Sequence, residues 1–324
     1  MKKILVFLIL SVIAVSCYDE YIKDFDYSAV YFSYVIDVRT MVVGEGMEIK
    51  VGVALGGVME NTVDRNVLFT VDNSLVTPAV LASMKKGADY IKNSVGSVTN
   101  LLPLPANYFT LSDNTRIIIK SGEHSGYVIL KVDSTAFLSD PATIMASYAL
   151  PLYIESADAD TILESNRSTV IGIKYENMLF GNYWHGGVTT VKSPAGATLD
   201  TIKYFTNIPS SEEKIWKLTT VGPNVLVTNG YSNVVTKKGE MRLTLDGTNI
   251  TISSNEGSTY PILPDGASTY NKPKLLQNRK IFLSYKYTNT DGNICYAQDT
   301  LTFRNRIRDG INEWMDENPS HYEK

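Results

Sequence analysis

The stretch that decides the fold class lies near the C-terminus, where residues 281–303 read IFLSYKYTNTDGNICYAQDTLTF. Its first part carries apolar or aromatic side chains at every second position, namely Ile281, Leu283, Tyr285 and Tyr287. Because successive side chains of a strand point to opposite faces, this alternation predicts a strand with one buried face. Residues 290–293, Thr-Asp-Gly-Asn, follow as a hairpin turn, and residues 294–303 return as a second strand.

The same alternation recurs along most of the chain. It is clearest in residues 48–55 and 148–154, and residues 245–248 form another turn of the Asp-Gly type. Further short strands are predicted at 29–34, 67–71, 115–120, 127–132, 168–175, 201–205, 214–220, 224–228, 241–245 and 249–253. Only residues 80–92 and 311–317 have the spacing of helices. The pattern predicts an all-β protein built from a sandwich or a barrel.

The length of 324 residues predicts two domains. We place the boundary near residues 175–177. Residues 27–175 then have the size of an immunoglobulin-like β-sandwich, and residues 178–318 suffice for a small barrel. Residues 255–278, rich in Gly, Pro, Ser and Asp, are expected to form one long connection, and connections of this length often carry function.

The first residues predict a lipoprotein leader. Met1-Lys2-Lys3 is basic and residues 4–13 are almost wholly apolar, which is typical of a signal peptide, here residues 1–16. Ala14-Val15-Ser16-Cys17 follows as a lipobox, in which the Cys17 thiol is acylated and anchors the chain in a membrane. Residues 17–26 would form an acidic tether. The alternative is a plain secretory signal that happens to contain a cysteine.

Charge and cysteine content exclude several classes of protein. The net charge is −4, and −6 once residues 1–16 are removed, whereas nucleic-acid-binding proteins carry a basic surface. With Cys17 acylated, Cys295 is left alone, so no disulfide framework exists, and its flanks predict a buried strand position. His124, His185 and His321 lie on separate segments without a paired ligand motif, so we expect no metal and no cofactor.

Motifs of hydrolases are incomplete. Residues 158–162 come nearest to the family-18 glycosidase pattern, but Ile162 stands where that pattern needs its acid. The chain has no Gly-x-Ser-x-Gly elbow, and His185-Gly186-Gly187 is expected to be a strand-to-turn segment rather than part of an oxyanion hole. We therefore expect no catalytic residues, although two carboxylates brought together by the fold could still act as an acid pair.

Motifs in both halves resemble those of a two-domain family. The first half contains Phe69-Thr70-Val71-Asp72, Leu102-Pro103 and Asn107-Tyr108-Phe109-Thr110-Leu111-Ser112, and it resembles the N-terminal immunoglobulin-like module of Bacteroidetes surface lipoproteins. That module also precedes the catalytic domain in some surface endoglycosidases. The second half contains Phe180-Gly181-Asn182-Tyr183 and residues 299–314, and it is similar to the C-terminal lipocalin-like domain of those lipoproteins.

The resemblance implies an N-terminal immunoglobulin-like β-sandwich followed by a C-terminal lipocalin-like β-barrel. It also implies an outer-membrane lipoprotein that faces the cell exterior and binds a polysaccharide or oligosaccharide, with an outer-membrane transporter or a surface enzyme as a partner. Tyr18-Asp19-Glu20, directly after Cys17, resembles the surface-export signal of such proteins. The family has no established enzyme activity, so the resemblance supplies no catalytic residue.

Aromatic residues are the candidates for sugar binding, because their rings stack on the apolar C–H faces of sugars. Tyr260 and Tyr270 are the first choice, since both lie in the predicted long connection. Tyr183 and Trp184 come next, at the start of the second domain. We expect Trp216 and Trp314 to fill the interior, as large aromatics in small β domains usually do.

Three functional hypotheses remain open. The first is a glycan-binding accessory lipoprotein. The second is a structural or adhesive protein that binds a protein partner, which an unpaired, uncharged edge strand would favour. The third is a glycoside hydrolase, which a cleft with two carboxylates about 5–10 Å apart would favour. A small apolar ligand inside the barrel is a minor variant of the first.

Overall fold

The computed structural model describes residues 26–205, 215–273 and 275–315. The chain divides into two compact units. The first consists of residues 1–41 and 47–174, and the second consists of residues 42–46 and 175–324. Strand accounts for 54% and helix for 13%, which confirms the predicted all-β class of a sandwich and a barrel. No helix in the described ranges has the length and apolar character needed to cross a membrane.

The first unit is the sandwich. Its two sheets have the strand orders β10-β1-β3-β8-β6 and β2-β11-β9-β4-β7, with β5 added beside β9. The strands that begin in this unit are β1 (Asp26–Tyr31), β2 (Ile36–Val43), β3 (Glu48–Val58), β4 (Arg65–Val71), β5 (Leu102–Pro103), β6 (Phe109–Leu111), β7 (Arg116–Ile119), β8 (Ser125–Val132), β9 (Tyr148–Ala157), β10 (Thr161–Ile162) and β11 (Ser168–Asn177).

Period-two burial builds this sandwich, as β3 illustrates. Ile49, Val51, Val53 and Leu55 are buried, while the residues between them are exposed or half-buried. Three short helices accompany the strands: α1 (Pro78–Met84), α2 (Asp89–Ser94) and α3 (Ser134–Ser139). The single helix predicted over residues 80–92 is therefore two helices, with Gly87, a poor helix former, between them.

The second unit contains a closed barrel of eight strands, β12-β14-β15-β18-β19-β21-β22-β23, which β12 closes by pairing with β23. On one edge of β12, residues 181–183 pair with β14 and residues 186–192 pair with β13. β24 pairs with the last residues of β23. The strands are β12 (Gly181–Lys192), β13 (Thr198–Phe205), β14 (Trp216–Gly222), β15 (Val225–Thr228), β16 (Gly230–Tyr231), β17 (Val234–Val235), β18 (Met241–Asp246), β19 (Asn249–Ser254), β20 (Ile262–Pro264), β21 (Ser268–Tyr270), β22 (Lys280–Thr288), β23 (Ile294–Arg308) and β24 (Ile311–Glu313).

Alternation again separates the barrel interior from its outer face. Ile281, Leu283, Tyr285 and Tyr287 of β22 are buried, as the sequence predicts. The predicted turns are present as well, with Gly247 and Gly292 at positive φ of 59° and 79°. Cys295 is buried on β23 in the same core, where burial raises the pKa of its thiol.

Two predictions for this unit are wrong. Residues 255–278 do not form one long connection, because they contain β20 and β21. Residues 311–313 form β24 rather than the start of a helix, since Asp309 and Gly310 at positive φ turn the chain back onto β23. Trp314 consequently lies outside the core with 59% of its surface exposed.

A buried ion cluster belongs to the second unit. Both carboxylate oxygens of Glu45 accept hydrogen bonds from Arg306, at 3.0 and 2.9 Å, and Oε1 also accepts one from Arg279 at 2.6 Å. Arg306 in turn donates to Glu313 of β24 at 2.5 Å. Burial alone would raise the pKa of Glu45, but the hydrogen bonds and charges of the two arginines lower it to about 2. This cluster therefore stays ionised in the interior.

Candidate functional site

An open trough of about 770 Å³ lies on the outer face of the barrel. Four neighbouring strands, β13, β12, β23 and β22, form its floor, and the segment between β20 and β21 forms one rim. The residues lining it are Gly187, Val188, Lys203, Asp265, Gly266, Ala267, Phe282, Leu283, Ser284, Gln298, Asp299 and Thr300. We refer to this concavity as the trough.

The pairing register arranges the floor in rows across the strands. One row runs through Phe205, Gly186, Thr300 and Phe282, one residue from each strand. The next row, two residues along, runs through Lys203, Val188, Gln298 and Ser284. With neighbouring strands about 4.8 Å apart, Phe205 and Phe282 flank a floor roughly 14 Å across.

The two phenylalanines are exposed although both belong to regular strands. Phe205 is 74% exposed and Phe282 is 41% exposed, because the alternation of β13 and β22 points them away from the interior. The Phe205 ring lies across Gly186: a Cβ at Gly186 would be 2.7 Å from the ring. Any side chain at this position would therefore displace the Phe205 ring.

Polar groups of both charges line the same surface. Lys203 and Gln298 are exposed on the floor. At the rim, Asp265 pairs with Lys286 at 3.1 Å, and its carbonyl oxygen accepts a hydrogen bond from Ser284 Oγ at 2.5 Å. These contacts fix the rim segment to β22. The trough thus combines exposed rings with hydrogen-bond donors and acceptors on rigid strands.

A buried carboxylic acid lies beneath the floor. Asp299 of β23 points into the barrel and is 2% exposed. Tyr204 donates a hydrogen bond to its Oδ1, and Tyr285 donates one to Oδ2 at 2.5 Å. Burial raises the pKa of Asp299 to about 7, although the two hydroxyl groups oppose the shift. Gly187 accommodates this carboxyl, since a Cβ there would lie 2.5 Å from Oδ1.

A tight turn completes this internal network. Ser232, at a φ of 49°, lies between β16 and β17 and is 1% exposed. Its N–H donates to the Tyr285 hydroxyl at 2.6 Å, and its hydroxyl lies 2.6 Å from that of Thr189. Both Asp299 oxygens are therefore occupied as acceptors within a connected hydrogen-bond network. This arrangement favours a structural role for Asp299.

The aromatic residues predicted from the sequence are not brought together. Tyr183 and Tyr270 are buried, with 0% and 6% of their surfaces exposed, because both lie on the inward faces of their strands. Tyr260 is half-buried and stacks on Tyr287, with ring centroids 5.2 Å apart. As a correction to the sequence interpretation, Tyr183 and Tyr270 offer no free ring face to a polysaccharide, and one face of Tyr260 is covered.

Trp184 is the exception among the predicted aromatics. It is half-buried on the outer face of β12, in register with Thr302 and one row away from the trough. Arg304 lies over its ring at 5.1 Å. Trp216 is fully buried, as expected, and stacks on His185. Cys17 and His321 lie outside the described residues.

Sequence reasoning missed Phe205, Phe282, Lys203, Gln298 and Asp265. The sequence contained a signal for the exposure of Phe282, because Phe282 lies between Ile281 and Leu283 in an alternating strand and therefore points to the opposite face. The pairing register is a separate matter: the turn spans residues 289–293 and sets Phe282 opposite Thr300, one residue off the register that a turn at 290–293 would give. Phe205 had no comparable signal, since its strand is mostly exposed and its link to Phe282 depends on the pairing of β12 with β23, more than 100 residues further along the chain.

The described part of the chain contains no group of three His, Cys, Asp or Glu side chains placed to hold a metal ion. His185-Gly186-Gly187 lies within β12 rather than at a strand-to-turn junction. The two carboxylates that line the trough, Asp265 and Asp299, are each engaged, the first by Lys286 and the second by two tyrosines.

Comparisons with known proteins concern the fold. A family model of an N-terminal domain matches residues 21–161, which is less than half of the chain. A crystal structure of a protein of unknown function from Bacteroides ovatus is similar with a TM-score of 0.61 at 21% identity, over 90% of this chain and 98% of that chain. A second protein of unknown function from Bacteroides ovatus aligns with a TM-score of 0.42 at 12% identity, over 90% of this chain and 100% of that one. No curated protein matches the chain.

Proposed function

We propose that the chain is a non-catalytic glycan-binding accessory protein and that the trough is its binding site. The observation that carries the proposal is the placement of two exposed phenylalanines, Phe205 and Phe282, on either side of a floor with polar groups. Pyranose rings have apolar C–H faces that pack on aromatic rings, and their hydroxyls need donors and acceptors nearby. Gln298, Lys203 and the Asp265 carboxylate supply both kinds of group.

The rigidity of the surface supports this proposal. Phe282 stands on a strand of the closed barrel, Phe205 stands on β13, which pairs with β12 of that barrel, and the rim is held by hydrogen bonds, so little conformational freedom is lost when a ligand binds. The trough is open rather than enclosed, which suits a segment within a long polymer. Trp184, next to it on the same face, would extend the contact surface.

The cellular setting in this proposal rests on the leader and on the resemblance. Acylation of Cys17 would hold the protein at the outer membrane, and the acidic residues after it would direct the protein to the exterior. In that position the protein would present polysaccharide to an outer-membrane transporter or to a surface enzyme. No catalytic step is proposed, because the carboxylates at the trough are engaged in structural contacts.

The test is affinity gel electrophoresis of residues 17–324, with Cys17→Ser to keep the chain soluble, against plant and host polysaccharides. We compare Phe205→Ala, Phe282→Ala and the double variant with Tyr127→Ala, an exposed tyrosine of the first unit. At roughly 1 kcal/mol per ring, the double variant should bind about thirtyfold more weakly. Tyr127→Ala should bind as the unmodified chain does.

The outcomes separate function from site. Retardation by a glycan that survives the double substitution would keep glycan binding and reject the trough. No retardation by any polysaccharide would reject glycan binding and favour a protein partner, for which a pull-down from outer membranes is the next experiment. Cleavage of a retained glycan, detected as reducing ends, would contradict the non-catalytic part of the proposal.

A further inference from the structure

A second concavity, of about 410 Å³, lies on the outer face of β14 and β15. Lys217 lies on β14, and Lys237 and Lys238 lie on the segment that follows β17. Thr219, Val221, Val227, Thr228, Asn229, Thr236, Gly239 and Asn255 complete the lining. We call this concavity the basic pocket. It shares no lining residue with the trough.

The lysines of the basic pocket lack acidic partners. Among the described residues no carboxylate forms an ion pair with Lys217 or Lys237, whereas Lys120 and Lys286 elsewhere pair with aspartates at 2.7 and 3.1 Å. Lys238 donates to the Gly257 carbonyl oxygen at 2.7 Å, which is a neutral partner.

Among the residues that the structure describes, the acids near the pocket are fewer than its cations. Glu240, next to the pocket in sequence, is fully buried, and its carboxylate accepts hydrogen bonds from the N–H and hydroxyl groups of Thr259. Glu256 is exposed beside Asn255, so the described residues around the pocket contain two acids against three lysines. Arg242 of β18 adds a further cation, in register with Val227. The pocket is therefore positive within a chain of net charge −4.

The walls of the basic pocket are fixed by close packing. A Cβ at Gly239 would lie 2.5 Å from Val227 Cγ1 and 2.6 Å from Asn255 Nδ2, so the segment carrying Lys237 and Lys238 lies tightly against β15. Asn229 Oδ1 accepts the backbone N–H of Lys217 at 2.7 Å. Three lysines and Asn229 then line one cavity, and ammonium and amide groups are the donors that a carboxylate or sulfate binds. The Asn255 amide is already engaged, since it donates to the carbonyl oxygens of Gly239 and Glu256.

We infer that the basic pocket binds the carboxylate or sulfate group of an acidic saccharide, at a site separate from the trough. The saccharide part of this inference rests on the proposed function, whereas the requirement for an anion rests on the pocket alone. An anionic membrane or a nucleic acid presents an extended negative surface, which the acidic remainder of this chain would repel. A single anionic group entering a concave pocket avoids that repulsion.

The test uses two matched pairs of polymers in affinity gels with the soluble mature chain: polygalacturonate against its methyl ester, and a sulfated polysaccharide against its desulfated form. The probe variant is Lys217→Gln with Lys237→Gln. The control is Lys85→Gln with Lys86→Gln, two exposed lysines of the first unit that change the net charge equally. The probe variant should bind at least one charged polymer roughly tenfold more weakly, and the control should not.

The inference is supported if a charged polymer is retained more strongly than its neutral partner and if the probe variant loses this difference. The control and the Phe205→Ala, Phe282→Ala double variant should both keep it. Equal retention of charged and neutral forms overturns it, as does equal weakening by both lysine pairs. No retention of either charged polymer also overturns it. Binding to phosphatidylglycerol vesicles that depends on Lys217 and Lys237, without polymer retention, would assign the pocket to a lipid headgroup instead.

Discussion

Asp299 allows a quantitative prediction about the barrel. Its pKa is about 7 in the folded protein, against an ordinary value of 3.8, because the carboxyl is buried. The folded state therefore keeps this proton up to about pH 7, whereas the unfolded chain releases it above about pH 4. The contribution of Asp299 to the free energy of unfolding is then largest below pH 4, falls as the pH rises from 4 to 7, and levels off above 7. A shift of about three units corresponds to roughly 4 kcal/mol.

Asp299→Asn should remove this part of the pH dependence. The asparagine amide has one acceptor and one donor group, as a protonated carboxyl does, so it can bond both Tyr204 and Tyr285 if one hydroxyl reorients. Near pH 4 the variant should match the unmodified protein to within about 1 kcal/mol. At pH 8 the variant should be the more stable of the two, because it carries no charge to bury.

The assay is urea denaturation at pH values from 4 to 9, followed by tryptophan fluorescence. All three tryptophans, Trp184, Trp216 and Trp314, lie in the second unit, so the signal reports the barrel without the sandwich. Asp291→Asn, in the exposed turn between β22 and β23, is the control. The reasoning is refuted if the stability difference between Asp299→Asn and the unmodified chain does not change between pH 4 and pH 8.

Three further predictions follow from the packing. Gly186→Ala should displace the exposed Phe205 ring and weaken glycan retention with little change in stability. Gly187→Ala should instead lower the free energy of unfolding by about 1–3 kcal/mol and leave glycan retention by the folded protein intact. Urea denaturation and affinity gels on both variants check these expectations. Glu45→Gln should destabilise the barrel by about 3–5 kcal/mol, because two buried guanidinium groups lose their carboxylate partner, and tryptophan-monitored denaturation measures the loss. In the Cys17→Ser chain, Cys295 should react with a disulfide reagent only as fast as the barrel opens, because the thiol is buried and burial raises its pKa. A reaction in native buffer that is as fast as the reaction in urea would contradict this expectation.

The sequence predicts the fold class well because long strands carry their own periodicity. β3 and β22 alternate over 11 and 9 residues, and the Asp-Gly turns mark where strands return. β20 and β21, of three residues each, are too short for an alternation to be visible, so their sequence resembles that of a loop. The β24 hairpin was missed because its pairing depends on the turn at Asp309 and Gly310.

The candidate site was harder to predict for a related reason. The sequence favours Tyr260 and Tyr270 because their segment has the composition of a loop. The short strand β21 within that segment places Tyr270 in the core. An aromatic binding surface on a sheet can be recognised only when two things are known: the face to which each side chain points, and the strands that lie next to each other. Parity alone gives Phe282, but the row that joins it to Phe205 requires the pairing of β12 with both β13 and β23. The pairing of β12 with β23 joins segments more than 100 residues apart, and the local pattern contains no information on it.

The two consecutive glycines of β12 connect the outside of the barrel with its interior. Gly186 and Gly187 point to opposite faces of one strand. On the outer face the missing side chain lets the Phe205 ring lie against the backbone, and on the inner face it leaves room for the Asp299 carboxyl. Two adjacent β-branched residues would satisfy the strand propensity of β12 better, but they would fill both spaces. The strand propensity of residues 186 and 187 is therefore low because this part of β12 must leave space for an aromatic ring on one face and for a buried carboxyl group on the other.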